Sequence, residues 1–189
     1  TEDVLPLGGD FNIYGGIYRP VELIITEKVC ITPLDFASPG VYLVQKNVTD
    51  TNAEIDVITK ISNGLNQLEK IDIEVSVFDA NGTQVQNGSS NISIEPTLTS
   101  QATISLSIEN PHLWNAVKDP YLYSAKIVLK KDGNVIDEVV QPLGLRYYST
   151  DADKGFFLNG EHVKIKGVSR HNDFAGVGSA LTEEQHRID

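Results

Sequence analysis

Hydrophobic and polar residues alternate with a period of two through the middle of the chain. The stretches AEIDVITKI (residues 53–61), IDIEVSVFD (71–79), ATISLSIE (102–109) and YLYSAKIVLK (121–130) all show this pattern. Successive side chains of a β-strand point to opposite faces, so the pattern predicts strands with one buried and one wet face. No comparable helical period precedes the C-terminal residues.

The turns between these stretches agree with a sheet. Asn81-Gly82 and Asp132-Gly133 are pairs that tolerate positive φ, and they predict tight hairpins. Short strands that recur between about Tyr42 and Leu145 predict a mostly β fold, an immunoglobulin-like antiparallel β-sandwich of about seven strands. Cys30 is the only cysteine, so the chain has no internal disulfide, and we expect Cys30 to be a small buried residue.

The two ends of the chain depart from this rhythm. Residues 10–26 predict a Gly-rich turn and an alternating strand with Val21, Leu23 and Ile25 on one face, and residues 32–40 predict a Pro-rich linker. Residues 156–171 predict a hairpin built on Asn159-Gly160. A helix with Thr182 as its N-cap follows, so strand, loop and helix succeed one another as at the start of a β/α unit.

Composition and charge narrow the function classes. The chain has 189 residues and a net charge of −11, which argues against nucleic-acid partners and anionic membrane surfaces. No apolar run reaches the roughly 18–20 residues of a membrane span, and the first residues do not resemble a signal peptide. Because the chain begins at Thr1, we expect a processed or cloned fragment.

The stretch GVSRHNDFAGVG, residues 167–178, is the strongest candidate for a functional loop. Arg170 and His171 follow the apolar alternation of HVKIKGV directly, and glycines come after them. Metal sites are not predicted. The acidic residues 151–155 fail as a calcium loop because Gly155 stands at position five and no acidic residue stands at position twelve, and the histidines lack the i, i+4 spacing of a helical metal pair.

Trp114 is the sole tryptophan. We predict that it packs a loop against the edge of the sandwich, in preference to stacking on a sugar. Four asparagines match the glycosylation acceptor pattern, which has meaning only for a eukaryotic source. They are Asn47, Asn81, Asn87 and Asn91.

Three separate motifs then carry a resemblance. YGGIYRPVELI (14–24), HLWNAVKDPYLYSAKIVL (112–129) and residues 143–189, with a Phe-x-Leu-Asn-Gly hairpin before GVSRH, occur in the order and spacing typical of glycoside hydrolase family 2. The chain most resembles the bacterial β-galactosidases of that family. Ser169 and Asn172 depart from the usual residues, so β-glucuronidase and β-mannosidase remain alternatives.

The resemblance implies three regions. Residues 1–30 correspond to the C-terminal end of a sugar-binding jelly roll, 31–146 to the immunoglobulin-like domain, and 147–189 to a linker with the first strand, loop and helix start of a truncated TIM barrel. A complete barrel takes about 250 residues. The chain also lacks the Asn-Glu dipeptide typical of the family's acid/base. No catalytic residue is therefore expected here.

The implied function is that of a non-catalytic structural fragment of a retaining hydrolase that acts on terminal β-glycosides in carbohydrate catabolism. In the parent enzyme only, His171 would bind substrate by hydrogen-bonding a sugar hydroxyl, and Arg170 would brace the loop or pair with a carboxylate. No cofactor is expected.

The expected partners are a β-glycoside, through the full-length enzyme, and the jelly-roll and barrel domains of the same polypeptide. Nucleic acid and a membrane span are not expected. Location stays open, although a periplasmic or extracellular site would suit a bacterial glycan-degrading enzyme. The alternative from another class is a free-standing β-sandwich that binds carbohydrate or mediates adhesion.

Overall fold

The computed structural model describes residues 15–188. The chain divides into two compact units. One unit is Ile25–Lys164, and the other combines the chain up to Ile24 with the chain from Ile165 onward. Within the described residues, no helix has the length and apolar character that a membrane crossing needs.

The Ile25–Lys164 unit consists of strands. In chain order they are β1 Val29–Ile31, β2 Val41–Val48, β3 Asn52–Asn63, β4 Glu69–Phe78, β5 Gln84–Ile94, β6 Thr99–Glu109, β7 Tyr123–Lys131, β8 Asn134–Leu143, β9 Tyr148–Asp151, β10 Gly155–Leu158 and β11 Glu161–His162. The predicted alternating stretches coincide with β3, β4, β6 and β7.

The first eight strands form two antiparallel sheets. In one sheet, β6 pairs with one edge of β3 along nearly the whole length of β3. Along the other edge of β3, β1 pairs with its C-terminal residues and β2 pairs with the residues before them. The second sheet has the order β5-β4-β7-β8. The predicted immunoglobulin-like sandwich is confirmed, with eight strands in place of about seven because its first edge is divided between β1 and β2. Strands β9 to β11 make a small separate sheet.

The core lies between the two sheets and is built from the alternating positions. Inward-facing aliphatic side chains of β3, β4 and β7 are at most 1% exposed, as the period of two requires. Fully burying one such aliphatic side chain stabilises the fold by about 1.5–3 kcal/mol. The core residues that these strands contribute include Ile55, Val57, Ile61, Ile71, Ile73, Val75, Val77, Ala125, Ile127 and Leu129. Cys30 is buried as predicted, at 6% exposed.

The predicted hairpins are present. Asp132 and Gly133 have φ values of 51° and 78° and join β7 to β8, which is the left-handed pair that a type I′ turn requires. Between β4 and β5, only Gly82 has a positive φ, at 81°. There the Asp79 carboxylate accepts hydrogen bonds from the backbone N–H groups of Asn81 and Thr83 at 2.9 and 2.8 Å.

Two stretches with strand-like alternation are not strands. In the first, which runs through Val21, Leu23 and Ile25, these side chains are 78%, 86% and 86% exposed. In the second, residues 163–168, Val168 is 94% exposed. An isolated strand has no stability without a pairing neighbour, and no described residue forms a ladder with either stretch. Residues 10–14 of the predicted N-terminal turn lie outside the described part.

The predicted linker, residues 32–40, is a structured loop of the sandwich. It connects β1 to β2 and lies beside β3, because Lys60 of β3 donates a hydrogen bond to Asp35 at 2.8 Å. Strand β1, Val29–Ile31, was not predicted from the sequence, because three residues are too few to show a period.

Tyr123 closes the connection between the two sheets. Its hydroxyl accepts a hydrogen bond of 2.8 Å from the backbone N–H of His112, eleven residues upstream at the start of the β6–β7 loop. This is the tyrosine corner of immunoglobulin-like sandwiches, in which a Tyr near the start of the corresponding strand makes a hydrogen bond to the backbone of the preceding loop. The side chain is 6% exposed, and burial raises the pKa of its hydroxyl.

Glu69 is a charged residue inside the second sheet. Its side chain is 2% exposed and lies 2.5 Å from the Lys131 ammonium, and it accepts a hydrogen bond of 2.7 Å from Gln67. The hydrogen bond from Gln67 and then that from Lys131 hold the pKa of this carboxyl below its ordinary value, against the opposing effect of burial.

We expect Tyr123→Phe to lower the free energy of unfolding by about 1–3 kcal/mol, because it leaves the His112 N–H without its partner. Urea denaturation monitored by circular dichroism measures this. Tyr148→Phe removes a hydroxyl from a side chain that is 70% exposed and should change stability by less than about 0.5 kcal/mol. Equal effects of the two substitutions on stability would contradict a stabilising role for the Tyr123 hydroxyl.

We also expect Glu69 to make the fold acid-sensitive. Its pKa is lower in the folded chain than in the unfolded chain, so its stabilising contribution is complete above the ordinary value of 4.5 and is lost as the pH falls through the folded pKa. Glu69→Gln should therefore flatten the dependence of urea stability on pH below about pH 4.5. Lys131→Met should destabilise the chain more at neutral pH than at pH 3. An unchanged slope in Glu69→Gln would show that this carboxyl contributes nothing.

Candidate functional site

The loop that the sequence singled out belongs to the unit formed by the chain ends. Residues 169–173 of this loop line an open cavity of about 450 Å³, together with Tyr18 and Ser179. Arg170 and His171 both line the cavity, and a guanidinium N–H of Arg170 donates a hydrogen bond to the backbone oxygen of His171 at 3.1 Å. The structure thus brings the two predicted site residues to one cavity.

Tyr18 is a lining residue that sequence reasoning did not select. Its ring is 46% exposed, and the Arg19 guanidinium lies over it at 5.8 Å. The signal was present in IYRP, an aromatic beside an arginine, but nothing in the spacing connects it to a loop about 150 residues later. An aromatic ring beside hydrogen-bonding side chains suits a ligand whose own ring has an apolar face and polar substituents.

The second half of the loop is a tight turn. Phe174 and Gly178 exchange backbone hydrogen bonds of 3.0 Å in each direction. Gly176 lies inside this turn with a φ of 88°, a value that residues with a Cβ adopt only with strain. The turn gives the loop a defined shape on the side of the cavity where Asp173 lies.

The helix α1, Glu183–Ile188, follows the loop. The backbone N–H of Thr182 donates to the Gln185 side chain at 2.7 Å, and the Thr182 hydroxyl lies 3.4 Å from the Gln185 N–H. This reciprocal pair is a capping box. The predicted helix start with Thr182 as N-cap is confirmed.

The cavity has groups for binding and too few for retaining hydrolysis. His171 can donate or accept a hydrogen bond, and Asn172 and Ser169 add further polar groups. Asp173 is the one acidic side chain among the described residues that line the cavity. Retaining glycosidases need two carboxyl groups about 5–5.5 Å apart, so the described lining residues offer hydrogen-bonding groups to a polyhydroxylated ligand but do not supply that pair.

At the other unit, the C-terminal hairpin is fastened to the sandwich by Asn159. The side chain donates to the backbone oxygen of Trp114 at 3.0 Å and accepts from the backbone N–H of Tyr147 at 3.1 Å. Its own N–H donates to the Tyr147 oxygen at 2.9 Å. With φ values of 50° and 77°, Asn159 and Gly160 form the predicted hairpin turn.

Trp114 has the packing role that was predicted. Its backbone N–H donates to the Leu145 oxygen at 2.8 Å. The Arg146 guanidinium lies 5.3 Å from the ring centre. Any side chain at Gly144 would come within 3.3 Å of the tryptophan. Lys118 of the same loop adds an exposed ion pair to Glu161 at 2.6 Å.

A second cavity of about 500 Å³ lies at this end of the sandwich. Residues 45–49 and 146–148 line it. The Tyr147 hydroxyl donates to the Asp50 carboxylate at 3.2 Å, and burial and this carboxylate together raise the pKa of Tyr147. In the described part of the chain, no group of three or more His, Cys, Asp or Glu side chains has the geometry to hold a metal ion.

Comparison with known proteins gives one consistent family. The glycosyl hydrolases family 2 model matches residues 40–146. A β-glucuronidase of Bacteroides fragilis is 48% identical over 188 residues, covering 99% of this chain and 27% of the relative. A β-galactosidase of Bacteroides ovatus is 31% identical over 166 residues, covering 88% of this chain and 19% of the relative.

The solved structures agree. The crystal structure of a Bacteroides uniformis β-glucuronidase has a TM-score of 0.85 and 26% identity, over 100% of this chain and 23% of that one. The chain therefore spans about a quarter of the length of the relatives that it matches.

We expect Asn159→Ala to loosen the hairpin by about 2–4 kcal/mol, since it removes two side-chain hydrogen bonds and leaves a non-glycine residue at positive φ. Amide hydrogen exchange of β10 measures this as a loss of protection. Asn159→Gly keeps the turn geometry and loses only the side-chain bonds, so its effect should be smaller. Full protection of β10 in Asn159→Ala would show that the side chain does not fasten the hairpin.

Proposed function

Because the chain belongs to glycosyl hydrolase family 2, we propose that it is the non-catalytic, immunoglobulin-like part of a retaining enzyme that hydrolyses terminal β-glycosides. The observation that carries this proposal is the family match over the sandwich, residues 40–146, in a chain that spans about a quarter of relatives named as β-glycosidases. The catalytic carboxyl pair would lie in a barrel outside this chain.

The proposed division of the chain is the one that the sequence motifs imply. Residues 1–30 end the preceding jelly roll, 31–146 form the sandwich, and 147–189 form a linker and the beginning of a TIM barrel. Residues 163–168 would become the first barrel strand only beside its barrel neighbours, because a strand needs a pairing partner. The sandwich would hold the two flanking domains at a fixed spacing.

In the whole enzyme, we assign His171 to hydrogen bonding with a sugar hydroxyl and Arg170 to bracing the loop. Both line the cavity of about 450 Å³, and loops that follow barrel strands lie on the catalytic face. The bond from Arg170 to the His171 oxygen supports the bracing role. Tyr18 joins them as a candidate for contact with the apolar face of a sugar.

β-Galactosides and β-glucuronides are the two candidate substrate classes. Relatives at 31% and 48% identity carry the names β-galactosidase and β-glucuronidase. The free-standing carbohydrate-binding or adhesion module remains the alternative from another class. The cavity loop and the helix after it argue against that alternative, since a self-contained sandwich has no need of either.

The test compares this chain with the polypeptide that the same reading frame encodes. We expect the 189-residue chain to leave nitrophenyl β-galactoside and β-glucuronide intact, because the described residues contribute a single carboxylate to its cavity. The longer polypeptide should hydrolyse one of them, and His171→Ala there should raise KM more than it lowers kcat. Turnover by the purified chain, or a reading frame without a downstream Asn-Glu and a second Glu, would overturn the proposal.

A further inference from the structure

The β1–β2 loop, residues 32–40, presents two large apolar side chains to solvent. Leu34 is 86% exposed and Phe36 is 96% exposed. Single exposed apolar residues are common on protein surfaces. Two of them on one short loop, one an almost completely exposed Phe, form a small apolar projection. We call Leu34 and Phe36 the apolar knob.

Side-chain contacts hold the knob in place from below. Asp35, between the two apolar residues, points back to β3 and β2, where its carboxylate accepts hydrogen bonds from Lys60 at 2.8 Å and from the Tyr42 hydroxyl. The Asp35 and Lys60 side chains are only 17% and 30% exposed. The Ser38 hydroxyl lies 2.9 Å from the Tyr42 hydroxyl. The loop is thus fixed by its polar residues while its apolar residues face outward.

The backbone of the loop is strained at the knob. Phe36 and Ala37 have φ values of 54° and 55°, in the left-handed region that is unfavourable for residues with a Cβ. At the end of the loop, Gly40 has a φ of 72°, and a Cβ there would lie 2.5 Å from the backbone oxygen of Thr32. Strain of this kind persists where the surroundings enforce it, and it is concentrated at functional positions.

We propose that the apolar knob docks into an apolar recess of the domain that precedes the sandwich in the same polypeptide. The inference rests on the proposed function, in which such a domain exists. A rigid aromatic anchor beside an aliphatic side chain is the usual centre of a protein–protein contact. Because the knob is already held in shape, docking loses little conformational freedom.

The position of the loop in the sandwich indicates that the preceding domain, and not the following one, receives the knob. The chain enters the sandwich at Val29, which pairs with Asn63 at one end of β3. The knob lies near that end, beside Lys60. The chain leaves at the other end of β3, where Tyr147 reaches Asp50. At about 3.4 Å per residue, the span of β3 separates the knob from the exit.

Charge argues against two other occupants. The chain carries a net charge of −11, which repels an anionic membrane surface and a second copy of the same chain. The Asp35 charge beneath the knob is already paired with Lys60, so the knob itself can enter an apolar recess without burying an unpaired charge.

Thiol labelling tests the docking. Ala37→Cys places a thiol on an exposed residue next to the knob and keeps Leu34 and Phe36, Asn81→Cys places one in the exposed β4–β5 turn, and native Cys30 is buried at 6% exposed and should not react in the folded protein. In this chain, we expect Cys at both positions to react quickly with an aromatic disulfide reagent. In the longer polypeptide, the rate at position 37 relative to position 81 should fall by about tenfold or more, as a mostly docked population requires.

An unchanged ratio of the two rates would overturn the docking, even in a longer polypeptide that hydrolyses β-glycosides. Protection of position 37 in this chain that grows with concentration, together with a dimer in sedimentation, would assign the knob to a second copy and also overturn the proposal. Protection in a longer polypeptide without glycosidase activity would support docking while contradicting the proposed function. Leu34→Ser/Phe36→Ser should leave the thermal midpoint of this chain unchanged and separate the unfolding of the two domains in the longer one.

Discussion

The structure depends on the burial of one face of each sheet against the other. β3 and β4 contribute side chains such as Ile55, Ile61 and Ile73 that are at most 1% exposed. A cross-sheet hydrogen bond adds to this contact, since the Asp137 carboxylate of β8 accepts from the Ile31 N–H of β1 at 2.7 Å. The small strand β1 is therefore held by β3 in one sheet and by β8 of the other.

With the core made by strands alone, the connections are fixed by individual polar side chains. Tyr123 holds the β6–β7 loop, Asn159 holds the C-terminal hairpin, and Asp35 holds the β1–β2 loop. Each makes hydrogen bonds to groups far away in the chain or beneath the loop. Each also places a specific segment at one end of the sandwich, as the proposed role of a spacer between domains would require.

Sequence reasoning predicted what local periodicity determines. The strands of the core, the turn at Asp132-Gly133 and the cap at Thr182 are all set by neighbouring residues, and all are present. The alternation of Val21 and Leu23 was misleading because pairing, not the pattern, makes a strand. Strand β5 is the opposite case, because it is paired with β4 but its sequence shows no clear alternation. Gly88 takes a core-facing position there, and a Cβ would lie 2.7 Å from Ile104.

Sequence reasoning located only part of the candidate site, because it detects what neighbouring residues determine and not contacts between distant residues. Arg170 and His171 are adjacent in sequence, so one motif located both. Tyr18 reaches the cavity only through the fold, as Asn159 reaches Trp114. Contacts between residues so distant in sequence leave no periodic signal, so a single sequence cannot locate them.

The ambiguity between galactoside and glucuronide is consistent with where the family model matches the chain. The matched residues, 40–146, fall within the Ile25–Lys164 unit, whereas Tyr18, Arg170 and His171 lie outside it. In the proposed enzyme, the sandwich contacts no sugar, so selection on its sequence acts on packing and on spacing between domains. Similarity there reflects a shared architecture, and relatives named β-glucuronidase and β-galactosidase both match this region. In that enzyme, glycone specificity would depend on the cavity loop and on the proposed barrel.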